Sequence, residues 1–216
     1  SGRGMAPPAV RDAAAVSSNS VFVHGLFADG SCWSEVIARL QAAGLNATSV
    51  QNPLTTLPDA VAATLRVLER QNGLTVLVGN SFSGMIVTEA GLHPNVAWPV
   101  YVAALAPDDE GRLTEEAFLR DFAGDLPPAQ ARVLYAVQQP FRKALLTGRT
   151  TQAAWRSKPS FYAVSTEDRT INPDLERFMA RRMGAKTIEV KSSHLSLISR
   201  PLEITNLNLE AHGHSA

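Results

Sequence analysis

Short β-branched runs that alternate with helical segments constrain this chain more than any other feature. The runs are Ser20–Val23, Asn46–Val50, Leu74–Val78, Val100–Ala104, Phe161–Ser165 and Thr187–Val190. Helical spacing follows each of the first three, over Trp33–Ala43, Asp59–Gln71 and Phe82–Leu92. Two later helices, Pro173–Met183 and Pro201–Leu209, each open on a proline, which suits a first turn because its missing N–H has no partner to lose there. Strands separated by helices of this length cannot pair as hairpins. They form βαβ units, and so an α/β protein with a parallel sheet and helices on both faces.

The alternation breaks once. Asp108–Lys158 carries helical pattern, at Leu113–Phe122 and Ala129–Leu146 with Pro140 bending the second, but no convincing strand. An insertion there, following the fourth strand, is placed to roof the crevice at the carboxyl edge of the sheet. Residues 1–19 are rich in Ala, Pro and Ser and lack periodicity, so a flexible arm is expected. Residues 20–211 form one domain with its insertion at about 108–158, and the polar tail 212–216 is again expected to be flexible.

The 216 residues are 45% hydrophobic and 19% charged, enough to bury a core. Twenty basic residues balance twenty acidic ones, which removes the electrostatic footprint for nucleic acid and any polybasic surface for anionic lipid. The nearly apolar run Val96–Pro107 is interrupted by Pro99 and falls short of the ~20 residues that span a bilayer. Cys32 is the single cysteine, so neither an intrachain disulfide nor a Cys-rich metal site is available. A reducing, cytoplasmic location, no metal and no cofactor are the expectations.

The segment Thr75-Val-Leu-Val-Gly-Asn-Ser81-Phe-Ser-Gly84 reads as strand, abrupt turn and helix, with a serine at the apex. Such a turn lifts a hydroxyl clear of the strand end, and small neighbours let strand and helix approach. Gly-x-Ser alone should arise about once by chance in a chain of this composition, and Gly213-His-Ser215 is an instance; the strand-to-helix setting distinguishes Ser81. Ser83 stands where the strict Gly-x-Ser-x-Gly pattern has its last glycine. The plainer reading of Ser81 is a helix N-cap.

A serine hydroxyl needs a base, and the base an orienting group. His212 and His214 lie in the tail, His93 ends a helix, and His24 is placed to brace the turn after the first strand. His194, in Lys191-Ser-Ser-His194-Leu, follows the last strand and can reach the carboxyl edge. Asp168 follows the fifth strand and completes the chain order Ser, Asp, His. Asp108 and Asp109, after the fourth strand, and Glu167 compete for the acid role. The amides of Phe82, opening the helix after Ser81, and of Leu26, in the turn His24-Gly-Leu-Phe-Ala-Asp-Gly30, are candidate oxyanion donors. Phe27, Phe82, Tyr135, Phe141, Trp155 and Phe161 are candidate pocket walls, each equally suited to the core.

Together, His24-Gly25-Leu-Phe-Ala-Asp-Gly-Ser-Cys-Trp33, Gln51-Asn-Pro53, Gly79-Asn-Ser81-Phe-Ser-Gly84, Tyr101-Val-Ala-Ala, Asp168-Arg-Thr-Ile and Ser193-His194 resemble a small bacterial α/β-hydrolase. The branch is the one that also resembles plant methyl esterases and hydroxynitrile lyases. The resemblance covers about residues 20–205. It implies a three-layer, mostly parallel sheet of six strands in local order 2-1-3-4-5-6 with a short helical cap. It also implies Ser81 as nucleophile, His194 as base, Asp168 as orienting acid and the Leu26 and Phe82 amides as the oxyanion hole. Two positions depart from the family pattern: Asn80 where histidine is common and Ser83 where glycine is. Leu195 replaces the lysine that follows the catalytic histidine in hydroxynitrile lyases, which argues against cyanohydrin chemistry.

The function expected is a cofactor-free serine hydrolase acting on a small, largely apolar ester. A hydrolase-like protein that binds a ligand without turnover, and another reaction on the same three residues such as C–C cleavage, lactone opening or perhydrolysis, are the alternatives.

Overall fold

A computed structural model describes residues 18–26, 28–106 and 150–213. Six strands form one sheet: β1 (Asn19–Val23), β2 (Asn46–Val50), β3 (Thr75–Ser81), β4 (Val96–Ala104), β5 (Phe161–Ser165) and β6 (Lys186–Val190). Their order is β2-β1-β3-β4-β5-β6 and every pairing is parallel, matching the expected topology. The helices are α1 (Ser34–Ala42), α2 (Leu57–Glu69), α3 (Gly84–Ala90), α4 (Pro173–Met183), α5 (Ser196–Ser199) and α6 (Pro201–Ala211). Strand β4 begins four residues before the β-branched run that announced it, taking in Trp98 and Pro99.

Strand alternation sends successive side chains to opposite faces. Val21, Val23, Leu77, Tyr101, Tyr162 and Val164 pack with α2, α3 and α4. Phe22, Val76, Val78, Val100, Val102 and Ala163 pack with α1 and α6. The division follows from crossover handedness. The chain moves one way from β1 to β2 and the other way from β2 through β6, so right-handed connections put α1 opposite α2, α3 and α4. The reversal leaves a crevice outside the carboxyl ends of β1 and β3, the place where open sheets of this kind bind ligands.

Local signals set the helix ends. Thr56 caps α2 by accepting the Asp59 N–H at 3.1 Å, and Asn172 caps α4 by accepting the Asp174 N–H at 2.9 Å. Gly184 closes α4 in the left-handed conformation, φ 62°.

The carboxyl end departs from the expected flexible tail at one residue. Helix α6 runs to Ala211, and His212 is fully buried with its Nε2 2.6 Å from the Ser20 hydroxyl. The signal of a polar tail was overridden because strand β1 carries a hydroxyl inward on the α6 face. The arm 1–17, the segment 107–149 with most of the expected cap, and residues 214–216 lie outside the described residues.

Candidate active site

Ser81 is the last residue of β3 and has φ 58°, a conformation that non-glycine residues adopt at a cost of about 1–3 kcal/mol. The surroundings over-determine it. The Ser81 carbonyl accepts the Leu105 N–H at 3.0 Å, and the Asn80 carbonyl accepts the Ser83 N–H at 3.0 Å. A Cβ on Gly84 would sit 1.8 Å from the Leu105 carbonyl oxygen, and one on Gly79 would sit 2.6 Å from the Val87 side chain. Gly79 lets α3 press against the end of β3, and Gly84 lets the start of α3 meet the backbone that leaves β4.

The two departures from the family pattern are accommodated. The Ser83 hydroxyl is buried between β1 and β3, accepting the Asn80 N–H at 2.7 Å and lying 2.8 Å from the Val23 carbonyl oxygen, to which it donates. Asn80 turns its amide to the neighbouring strand, donating to the Val102 carbonyl at 2.8 Å.

The loops after β5 and β6 are laced together. Thr166 and Glu167 donate backbone N–H groups to the carbonyls of Val190 and Ser192. This brings His194 Nδ1 to 2.8 Å from Asp168 Oδ2. The other Asp168 oxygen accepts the N–H groups of Thr170 at 2.7 Å and Ile171 at 2.9 Å. The Asp168 side chain is sealed from solvent, whereas that of His194 keeps 16% of its surface exposed. Burial alone would raise the Asp168 carboxyl, but hydrogen bonds from His194 and Glu176 outweigh it and hold the group below its ordinary value.

Leu26, Ala28, Ser81, Asp168, His194 and Leu195 share one open pocket of about 1090 Å³. Among the described residues no hydrogen bond joins the Ser81 hydroxyl to His194; the imidazole presents Nε2 without a protein partner in the pocket that Ser81 also lines. Free-enzyme distances of this sort commonly tighten when substrate arrives. The N–H groups of Leu26 and Phe82 likewise have no protein acceptor among the described residues.

His24 sits beneath this rim as a brace. Its Nε2 accepts the Asn52 N–H at 2.9 Å, so Nδ1 carries the proton and donates to the Gly25 carbonyl at 2.9 Å. Cys32 is inert, its thiol pushed up to about 11 chiefly by burial.

Trp155, Phe82 and Phe161 are buried in the core clusters rather than lining the described pocket. Trp155 lies under the guanidinium groups of Arg156 and Arg182. Its apolar neighbours on the α3 and α4 side bury more of the indole than an open crevice would. Phe27, Tyr135, Phe141, Asp108 and Asp109 lie outside the described residues.

Two residues escaped the sequence reading. The Tyr162 hydroxyl accepts the Ala104 N–H at 3.0 Å and donates to the Ala104 carbonyl at 2.6 Å, pinning β4 next to the Ser81 turn. Glu176 is fully buried behind Asp168. A signal for it existed: Glu176, Met179, Ala180 and Met183 stand at i, i+3, i+4 and i+7, which puts a carboxyl on the apolar face of α4. Among the described residues, no cluster of three or more His, Cys, Asp or Glu is arranged for a metal ion, and no helix is long and apolar enough to cross a membrane.

The profile of the alpha/beta hydrolase family matches residues 21–206. Methylesterase 7 of Arabidopsis thaliana is 26% identical over an alignment of 245 positions that covers 88% of this chain and 94% of that protein. Among solved structures, a pyrethroid hydrolase from Sphingobium faniae superposes with a TM-score of 0.75 at 15% identity, covering 92% of this chain and 98% of its own. An extracellular alpha/beta-hydrolase from a Paenibacillus species gives 0.69 at 18% identity, covering 89% and 98%. With its sheet order, its serine at the end of β3 and a matching profile over most of its length, the chain belongs to the alpha/beta hydrolase family.

Proposed function

We propose that this chain is a serine carboxylic ester hydrolase in which Ser81, His194 and Asp168 act as nucleophile, base and orienting acid. The observation that carries the reading is the hydrogen bond of His194 to a solvent-sealed Asp168, in the same pocket as a serine held at positive φ. Asp168 fixes the imidazole with Nδ1 protonated, which leaves Nε2 as the basic nitrogen. Nε2 takes the proton as the Ser81 oxygen attacks the ester carbonyl. The carbonyl π pair moves onto oxygen, where the Leu26 and Phe82 N–H groups stabilise it, each by about 3–4 kcal/mol. Collapse expels the alcohol, which receives the proton from Nε2. Water, deprotonated in turn by Nε2, then releases the acid and restores Ser81.

Leu26, Ala28 and Leu195 make the described wall of the pocket partly apolar, which suits a small, largely apolar ester. The plant relative is named a methylesterase, which supports ester chemistry. A fluorophosphonate probe tests the assignment directly. One adduct on Ser81 and loss of p-nitrophenyl acetate hydrolysis in Ser81→Ala are expected. A folded protein that takes no label, or a variant as fast as the parent, overturns it.

A further inference from the structure

The carboxyl of Glu176 has no role in the mechanism above, yet it is fully buried against the acid of the proposed triad. One oxygen, Oε1, accepts the Ser165 N–H at 3.0 Å. The other, Oε2, is sealed from solvent and meets no N–H or O–H donor among the described residues. What lies within hydrogen-bonding reach is the Asp168 carboxylate. Two carboxylates cannot hydrogen-bond each other; one must hold a proton. Asp168 accepts three N–H donors, from Thr170, Ile171 and His194, whereas Glu176 accepts one. The proton therefore belongs on Glu176.

Resting on the triad reading, we propose that Glu176 is a positioning residue: carried as the neutral acid, it donates a hydrogen bond to the Asp168 carboxylate and holds it from behind in line with His194. The balance of charges around it agrees. Burial first, then the hydrogen bond to Asp168 and its negative charge, push the Glu176 carboxyl up to about 10. Tyr162, from β5, is fully buried and brings no positive charge. Arg177, on α4 itself, works the other way but is engaged with Asp174 and Glu189 at the surface. His194 is separated from Glu176 by Asp168. The pair thus carries a single negative charge, placed on the residue that touches the imidazole.

Two arms test this. The first needs no activity: the infrared spectrum at neutral pH should contain a protonated-carboxyl C=O band that is absent from Glu176→Gln, and absence of that band from the parent overturns the neutral acid. The second is the pH profile of kcat/KM on p-nitrophenyl acetate. Glu176→Gln keeps a donor and the same charge, so kcat should stay within about threefold and the acid limb should not move. An ionised Glu176 would instead make that variant's acid limb fall, because a negative charge near His194 is lost. Glu176→Leu removes the donor, so kcat should drop about tenfold or more with little change in KM, and the acid limb should rise as Asp168 grips the imidazolium harder. Full activity and an unmoved limb in folded Glu176→Leu overturn positioning. Should that variant not fold, the acid limb of Glu176→Gln decides. A Ser81 that proves unreactive defeats the proposed function, while the infrared arm still judges the proton on Glu176.

Discussion

The molecule holds two clusters of serine, histidine and a polar partner, one at each end of the sheet. At the carboxyl rim, Ser81, His194 and Asp168 share an open pocket. At the amino end, Ser20, His212 and Asn208 are all buried, with the Ser20 hydroxyl donating to Asn208 Oδ1 at 2.8 Å and lying 2.6 Å from His212 Nε2. Composition barely separates them; physics does. Ser20 lies within a regular strand, while Ser81 is lifted out of its strand at φ 58°. The Ser20 proton is given to an amide, so His212 must donate to that oxygen and cannot draw a proton from it. The third member at the amino end is a neutral amide, whereas at the rim it is the carboxylate of Asp168. Proximity of the right residue types is thus insufficient without access, strain and a charge.

The comparison breaks if Ser20 matters to turnover. Ser81→Ala should lower kcat/KM on p-nitrophenyl acetate by about 10⁴-fold or more, while Ser20→Ala should leave it within about twofold per folded molecule. Assays of both variants at matched folded concentration check this. Asp168→Asn should cost about 10⁴-fold, because the wrong tautomer of His194 is then favoured. Asn208→Ala should instead cost stability, about 1–3 kcal/mol in urea unfolding, with activity retained, since the Ser20 hydroxyl loses its acceptor. Gly84→Ala separates geometry from chemistry at the rim: the Leu105 carbonyl leaves no room, and a loss of about 3 kcal/mol or more is expected in the same unfolding assay.

A further effect concerns pH. The Glu176 carboxyl is raised from 4.5 to about 10 in the folded chain, so the stability it confers is full below about pH 4.5 and is lost as pH rises toward 10. Glu176→Gln removes that dependence. Its Tm relative to the parent should therefore climb between pH 5 and pH 9, and a flat difference would mean that Glu176 is ionised when folded.

Periodicity made the sheet readable, because β-branched runs and helix spacing are local properties, and four of the six strands, β1, β2, β5 and β6, lie within a residue of the runs that signalled them at both ends. Ser81 was readable for a related reason: its turn demands small residues at fixed offsets. Asp168 and His194 were narrowed by topology, which delivers strand ends to one rim. Glu176 was not, since among Asp174, Arg177 and Arg181 it passes for one more solvated charge of α4. Only its register with Met179 and Met183 told against that, and register competes with composition. His212 failed in the same way, because a polar tail carries no mark of the hydroxyl waiting on β1.

Strand β5 deserves a mechanical view. It carries Asp168 just beyond its end, and from its middle Tyr162 grips the Ala104 backbone beside the Leu105 N–H that holds the Ser81 carbonyl. One rod is bolted to both jaws of the vice. Breathing of the sheet then carries Ser81 and Asp168 along together, and the gap between them keeps its gauge until the whole frame gives way.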